Sequence, residues 1–251
     1  MKTNPMTSPW LLLTGMTMLI VASCNTQRNE QFDQQTLVVE RQKTQLNDSG
    51  YELGAEVDFP VAGTQPLVDS VKRFITQELY LLFDSDYDEE TIHIPFETVC
   101  KWNNDKIVTA FHDNYKPLYR KYGADYGADY LSLTLTAQTE NLVTYYGEYT
   151  SCGASCCTGY GYYTFRISDG HLLQEVIDEE GLEAFVKEHP QYEQLLYDAD
   201  EKYFGMLEDE LLYVYRFYGV AGGVTDKTAI PYIEIAPFLN REAKDLIVNH
   251  Y

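Results

Sequence analysis

The chain is predicted to fold as one α+β domain, an antiparallel sheet packed with a few helices, behind an N-terminal export and tether segment. Three observations predict this class. Strand-like alternation dominates the centre, where Leu131, Leu133 and Leu135 alternate with Ser132, Thr134 and Thr136. Helical spacing is confined to a few stretches, the clearest through Leu67, Val71, Phe74, Ile75, Leu79 and Leu82. The 22 Tyr and 11 Phe suit a pleated, half-buried surface better than a helical bundle. Runs of strands broken by a few helices give α+β architecture.

The elements follow in order. Lys2 is the only charge ahead of an apolar run from Trp10 to Ala22, which stops at Val21-Ala22-Ser23-Cys24. A spanning helix needs about 20 apolar residues; this run is shorter and ends on small residues, as a signal peptide does before its cleavage site. The Cys after Val-Ala-Ser resembles the bacterial lipobox, so residues 1–23 are read as a signal peptide and Cys24 as the acylated residue. Each buried acyl CH₂ contributes about 0.8 kcal/mol, enough for several chains to hold a protein at a membrane without a span. The expected place is the cell envelope, at the outer membrane, with the lipid anchor as the one membrane contact. Residues 24–50 are read as the lipidated Cys and a polar linker unable to bury a core; only Leu37-Val38-Val39 interrupts its polarity, as the start of a first strand would. Residues 51–251 form the folded domain.

Within it, Leu53, Ala55, Val57 and Phe59 alternate in a strand ending at Pro60, and Gly63-Thr64-Gln65-Pro66 opens a helix with Pro in its first turn. Asp84 to Glu90 is an acidic loop. Its Asp84-Ser85-Asp86-Tyr87-Asp88 begins like a calcium loop, but the sixth and twelfth positions are Glu89 and Pro95, where Gly and a bidentate Glu are needed. Phe96 to about Tyr122 reads as a second helical stretch, followed by the tandem Gly123-Ala124-Asp125-Tyr126 and Gly127-Ala128-Asp129-Tyr130. Strands are expected at Leu142–Tyr149 and Tyr160–Ile167, and a tight turn at Asp169-Gly170. A helix follows over Glu179–His189, stopped before Pro190, then a turn or two over Tyr192–Tyr197. A hairpin is predicted around Asp209-Glu210, a strand over Ile230–Ile235 with Pro231 at its edge, and a closing helix over Pro237–Tyr251.

The formal charge is −21. Such a surface repels nucleic acid, whose phosphates need Lys and Arg, and it steers basic partners. Four cysteines remain after Cys24: Cys100, Cys152, Cys156 and Cys157. In an oxidising envelope an even number reads as disulfides, with Cys152 expected to pair with Cys156 or Cys157 and Cys100 with the other. The competing reading is a thiolate zinc site, which only Cys100 could complete. No metal and no cofactor are expected. Gly153-Ala154-Ser155-Cys156-Cys157 lacks the second Gly of a nucleophile elbow, and the five His include no His-Glu-x-x-His.

Three stretches carry a family resemblance. The first runs from Tyr149-Thr150 through Gly153-Ala154 to Tyr162-Tyr163-Thr164-Phe165-Arg166-Ile167 and Asp169-Gly170-His171-Leu172-Leu173. The second is Phe204 through Leu211-Leu212-Tyr213-Val214-Tyr215 to Ala221-Gly222-Gly223, and the third is Ile230-Pro231-Tyr232. Together they resemble the extracellular domain of lysozyme-sensing anti-sigma factors, also found beside some polysaccharide deacetylases and in bacterial lipoproteins. The resemblance implies a non-enzymatic binding or sensing domain and places ligand contacts at Tyr149, Thr150, Gly153, Ala154 and Ser155. Ser155 stands where the family loop carries His, and cysteines surround it, so the loop departs from the family pattern. The implied partner is a protein or glycan at the envelope, a basic protein such as lysozyme in the sharpest version. The alternative is a glycan-acting enzyme using carboxylates that sequence cannot single out among 39 acids.

Overall fold

A computed structural model describes residues 36–48, 51–83, 94–110, 128–152, 156–217 and 224–247. Two sheets carry the fold. The first has five strands in the order β1 (Val38–Asp48), β2 (Tyr51–Ala62), β3 (Ala128–Gln138), β4 (Leu142–Cys152) and β5 (Cys156–Arg166). The second is an antiparallel sheet of β6 (Glu201–Met206), β7 (Glu210–Phe217) and β8 (Val224–Pro231). The architecture is α+β. One pairing departs from the antiparallel expectation: β2 and β3 run parallel, from Glu52 opposite Ala128 to Val57 opposite Leu133. Parallel neighbours need a long crossover, and the chain between them includes α1 (Gln65–Phe83), α2 (Phe96–Val99) and helical residues 104–110 (α3).

β1 lies inside the stretch read from sequence as linker. It has no apolar period because charge pairs tie it to its neighbour. Arg41 stands opposite Asp58 and Lys43 opposite Glu56 in the ladder, with Arg41 Nε 2.7 Å from Asp58 Oδ1 and Lys43 Nζ 3.2 Å from Glu56 Oε2. Opposite charges facing across a ladder stabilise the pairing. Asp58 also accepts from the Leu135 backbone N–H at 3.0 Å, just past the last parallel pair. One buried carboxylate thus links three strands.

α1 forms where sequence places it. Leu67, Val71, Ile75 and Leu79 recur at helical spacing and are fully buried against Val57, Phe59, Val143, Tyr145, Phe165 and Ile167 of the sheet. Alternate residues of β5 face opposite ways. Tyr163 and Phe165 meet Phe74 of α1 at ring-centroid distances of 4.5 and 5.6 Å, whereas Tyr162 packs with Leu212 and Val214 of β7. The second sheet therefore covers the face of the β4–β5 hairpin that α1 leaves bare. Where the sheets meet, Thr144 and Thr164 are buried, their hydroxyls 3.0 Å apart. Thr144 donates to the Met206 carbonyl, and the Met206 N–H donates to Thr164 Oγ1 at 3.1 Å.

The other side of the second sheet holds a separate core with α4 (Glu179–Glu188), a 3₁₀ turn over Pro190–Leu196, α5 (Tyr232–Ile235) and α6 (Arg241–Ile247). Asp178 caps α4 by accepting from the Gly181 N–H at 2.7 Å. The strand expected over Ile230–Ile235 ends at Pro231, and a helical turn begins at Tyr232. Tyr232 and Ile235 are buried while Ile233 is 77% exposed; that is i, i+3 spacing, not alternation. The closing helix is shorter than expected, with a 3₁₀ turn over Ala236–Phe238 before α6. No helix among the described residues is long and apolar enough to cross a membrane.

Candidate functional site

Past the end of the α1 contact, the helix-facing side of β4 and β5 carries glycines. Gly147 and Gly161 are paired across the ladder, and Gly159 stands opposite Tyr149. Glycine inside a strand weakens the sheet but permits a close approach. Here each glycine seats a large group. A Cβ on Gly147 would lie 2.9 Å from the Tyr163 ring, one on Gly161 3.1 Å from the Tyr203 ring, and one on Gly159 2.3 Å from Arg216 Nη1. The rings and the guanidinium thus approach the strand backbone closely. They line a cleft of 370 Å³ together with Tyr149, Tyr160, Glu78, Glu148 and Glu201.

Five parts of the fold meet in it, β3 among them through Leu131 and Leu133. α1 contributes Glu78, the β4–β5 hairpin the glycines and three tyrosines, β6 Glu201 and Tyr203, and β7 Arg216. Burial pushes the Glu78 carboxyl above the usual range, because a low-dielectric setting disfavours charge. Burial, and then the proximity of Glu78, pushes the Tyr163 phenol well up. Burial also raises Tyr203, whose hydroxyl bonds Glu201. These phenols stay neutral across the physiological range. Arg216 Nη1 is 3.7 Å from Glu201 Oε2. Glu148 accepts from the Tyr146 hydroxyl at 3.0 Å.

Of the contact residues implied by the resemblance, Tyr149 lines this cleft. Thr150 instead shares a hydroxyl–hydroxyl hydrogen bond with Thr158 at 3.0 Å. Gly153, Ala154 and Ser155 lie outside the described residues, as does Cys24. Cys152 is disulfide-bonded. The expected bond to Cys100 is overturned: Cys100 is a free thiol. It sits just after α2 in the helical layer, its sulfur 4.0 Å from Arg73 Nη1 on α1, whereas Cys152 ends β4, opposite Cys156 in the hairpin register. Glu78, Glu201, Tyr203 and Arg216 were not singled out by sequence. The available signal was the run of glycines at 147, 159 and 161 inside strand-forming sequence.

The fold has counterparts among solved structures. The chain has the fold of two DUF3298 family proteins. The one from Bacteroides fragilis superposes with a TM-score of 0.58 at 16% identity, over 86% of this chain and 99% of that one. The one from Pseudomonas aeruginosa gives 0.50 at 11% identity, over 84% and 97%. DUF3298 is a domain of unknown function, so the likeness is one of fold. No family profile and no curated protein matches the chain.

Proposed function

We propose that this is a non-enzymatic binding domain, held at the cell envelope by acyl chains on Cys24, that captures a basic protein such as lysozyme. The observation that carries the reading is the charge, −21 over the whole chain, together with the way the few cations are used. Arg41, Lys43, Arg73, Arg166 and Arg216 each stand within ion-pair distance of a carboxylate. The excess acids are left facing solvent, as on α4, where Glu179, Glu180, Glu183 and Glu188 are all exposed. A surface of one sign speeds encounter with an oppositely charged partner about 10- to 1,000-fold, an advantage lost as salt rises. The resemblance to lysozyme-sensing domains points the same way. Calorimetric titration of lysozyme into the domain is expected to give heat at low salt and a steep loss of affinity at high salt. No heat and no co-elution at low salt overturn the reading.

A second reading, hydrolysis of an envelope glycan, has one observation in its favour. Glu78 and Glu201 line one cleft in different environments, the first held toward its neutral form and the second beside Arg216. A separated acid and base of this kind is what glycoside hydrolysis uses, at carboxyl separations of about 5–10 Å. Reducing ends released from peptidoglycan by the wild type and not by Glu78→Gln would support it; none released by either removes it.

A further inference from the structure

We infer that the cleft between α1, the β4–β5 hairpin and β6–β7 takes a single cationic side chain, Lys or Arg, from the captured protein. This rests on the capture of a basic protein and names the contact that would anchor it. Two carboxylates, those of Glu78 and Glu201, share the cleft with one guanidinium, that of Arg216; Glu148 borders it from β4 with its carboxylate turned to Tyr146 on the other face. Arg216 lies within reach of Glu201, so its charge is already matched, and Glu78 is left as the acid with which an entering cation would pair. The walls are aromatic: Tyr149, Tyr163 and Tyr203 border the same space. Tyrosine faces attract an ammonium or guanidinium, and a cage of such rings beside carboxylates is the usual chemistry for holding one.

The cleft also contains an internal precedent. Arg216 runs from β7 across Gly159, where a Cβ would meet its Nη1 at 2.3 Å, and reaches Glu201, whose other partner is the Tyr203 hydroxyl. A guanidinium is thus accommodated among these groups. The volume of 370 Å³ left open beside it exceeds what a second Lys or Arg side chain occupies. An anionic ligand would face Glu78 and Glu201. The neutral phenols, raised by burial, keep the walls from adding negative charge that would need its own counterion.

The experiment uses the mature chain, with lysozyme and butylguanidinium chloride as probes. The variant Glu78→Gln is compared with Glu183→Gln, which removes one carboxyl group from the exposed face of α4. The cleft variant is expected to weaken lysozyme about tenfold or more, as loss of a desolvated charge partner does, and the α4 variant about twofold, as loss of a rim charge does. Melting temperatures confirm that each variant is folded. Equal weakening by both variants, with lysozyme still bound, overturns the cleft anchor and leaves capture standing. No lysozyme binding to the wild type overturns capture, and the cleft is then judged by butylguanidinium alone. Saturable quenching of tyrosine fluorescence beyond that of equal sodium chloride, lost in the cleft variant, supports the site. No saturable effect, or one unchanged in the cleft variant, overturns it.

Discussion

The two sheets solve the same problem, a face to be kept from water, in different ways. The second sheet is covered by short pieces, α4, the 3₁₀ turns, α5 and α6, that fit around it and close a continuous core from Leu142 to Ile247. The first is backed mainly by one helix of 19 residues, about 28 Å long at 1.5 Å per residue. That helix covers β4 and β5 at Val143, Tyr145, Phe165 and Ile167, and at Gly147, Gly159 and Gly161 the strands run on past the well-covered region. Patchwork cover leaves little unfilled. A single rod leaves an end, and in this molecule the cleft lies at that end.

The largest effect is expected where the rod is pinned to the sheet. Gly170 follows β5 with φ +71°, and a Cβ there would lie 2.3 Å from the Pro66 carbonyl oxygen at the start of α1. Gly170→Ala combines left-handed strain with a clash against backbone, and is expected to cost on the order of 3 kcal/mol. If the sheets fold as one unit, a single melting transition shifts downward. If they are separable, only the transition that exposes the β4–β5 face moves.

The contact between the sheets gives the next effect. Thr144, Thr164 and Met206 form a closed hydrogen-bonded group in the dry junction. Thr144→Val keeps the shape but leaves the Met206 carbonyl without its hydroxyl, expected to cost about 1–3 kcal/mol. Chemical denaturation checks it. Urea unfolding that becomes biphasic would show that these hydroxyls couple the two cores, while an unchanged midpoint would show that apolar contacts alone do.

Alkali should loosen both sheets. Burial pushes the Tyr213 phenol of the second sheet up to about 12, and raises Tyr145 and Tyr163 of the first further still. In the unfolded chain a phenol titrates near about 10. The folded state therefore holds protons that the unfolded state gives up, so stability is intact below about pH 10 and falls as pH climbs above it. Circular dichroism melts taken between these values test the sign.

How much was legible in the sequence follows the same division. The α1 stripe, the β3 alternation, the hairpin around Asp209-Glu210 and the α4 helix stopped before Pro190 are local patterns, and the chain folds as they indicate. β1 was legible only at its start, Val38-Val39, because Arg41 and Lys43 become strand residues only opposite Asp58 and Glu56. Tyr232 to Ile235 was misread because an apolar run after Pro231 fits a strand or a helical turn equally. The cleft brings Glu78 of α1 to Glu201, Tyr203 and Arg216 of the β6–β7 hairpin, far away in sequence, and no spacing rule joins the two. Its floor was visible in part, since glycines at 147, 159 and 161 interrupt strands that otherwise favour Tyr and Thr.

The smallest effect concerns Glu78 itself. Burial raises its carboxyl in the folded state, so folding favours the protonated form. That contribution is fully present below the ordinary carboxylate range and is lost as pH rises through the raised value, where wild-type protein must either keep an uncharged acid or bury a charge. Glutamine cannot ionise. Glu78→Gln is therefore expected to match wild type in acid and to melt slightly higher in mild alkali, with the difference opening between those limits. A variant that instead melts lower in alkali would mean that the ionised Glu78 is held by a cation, and the cleft would then be less open to a guest charge than its composition implies. Measured alongside lysozyme affinity, the pH profile separates the two roles of the residue: what ionisation costs the fold is the same quantity a guanidinium entering the cleft would offset.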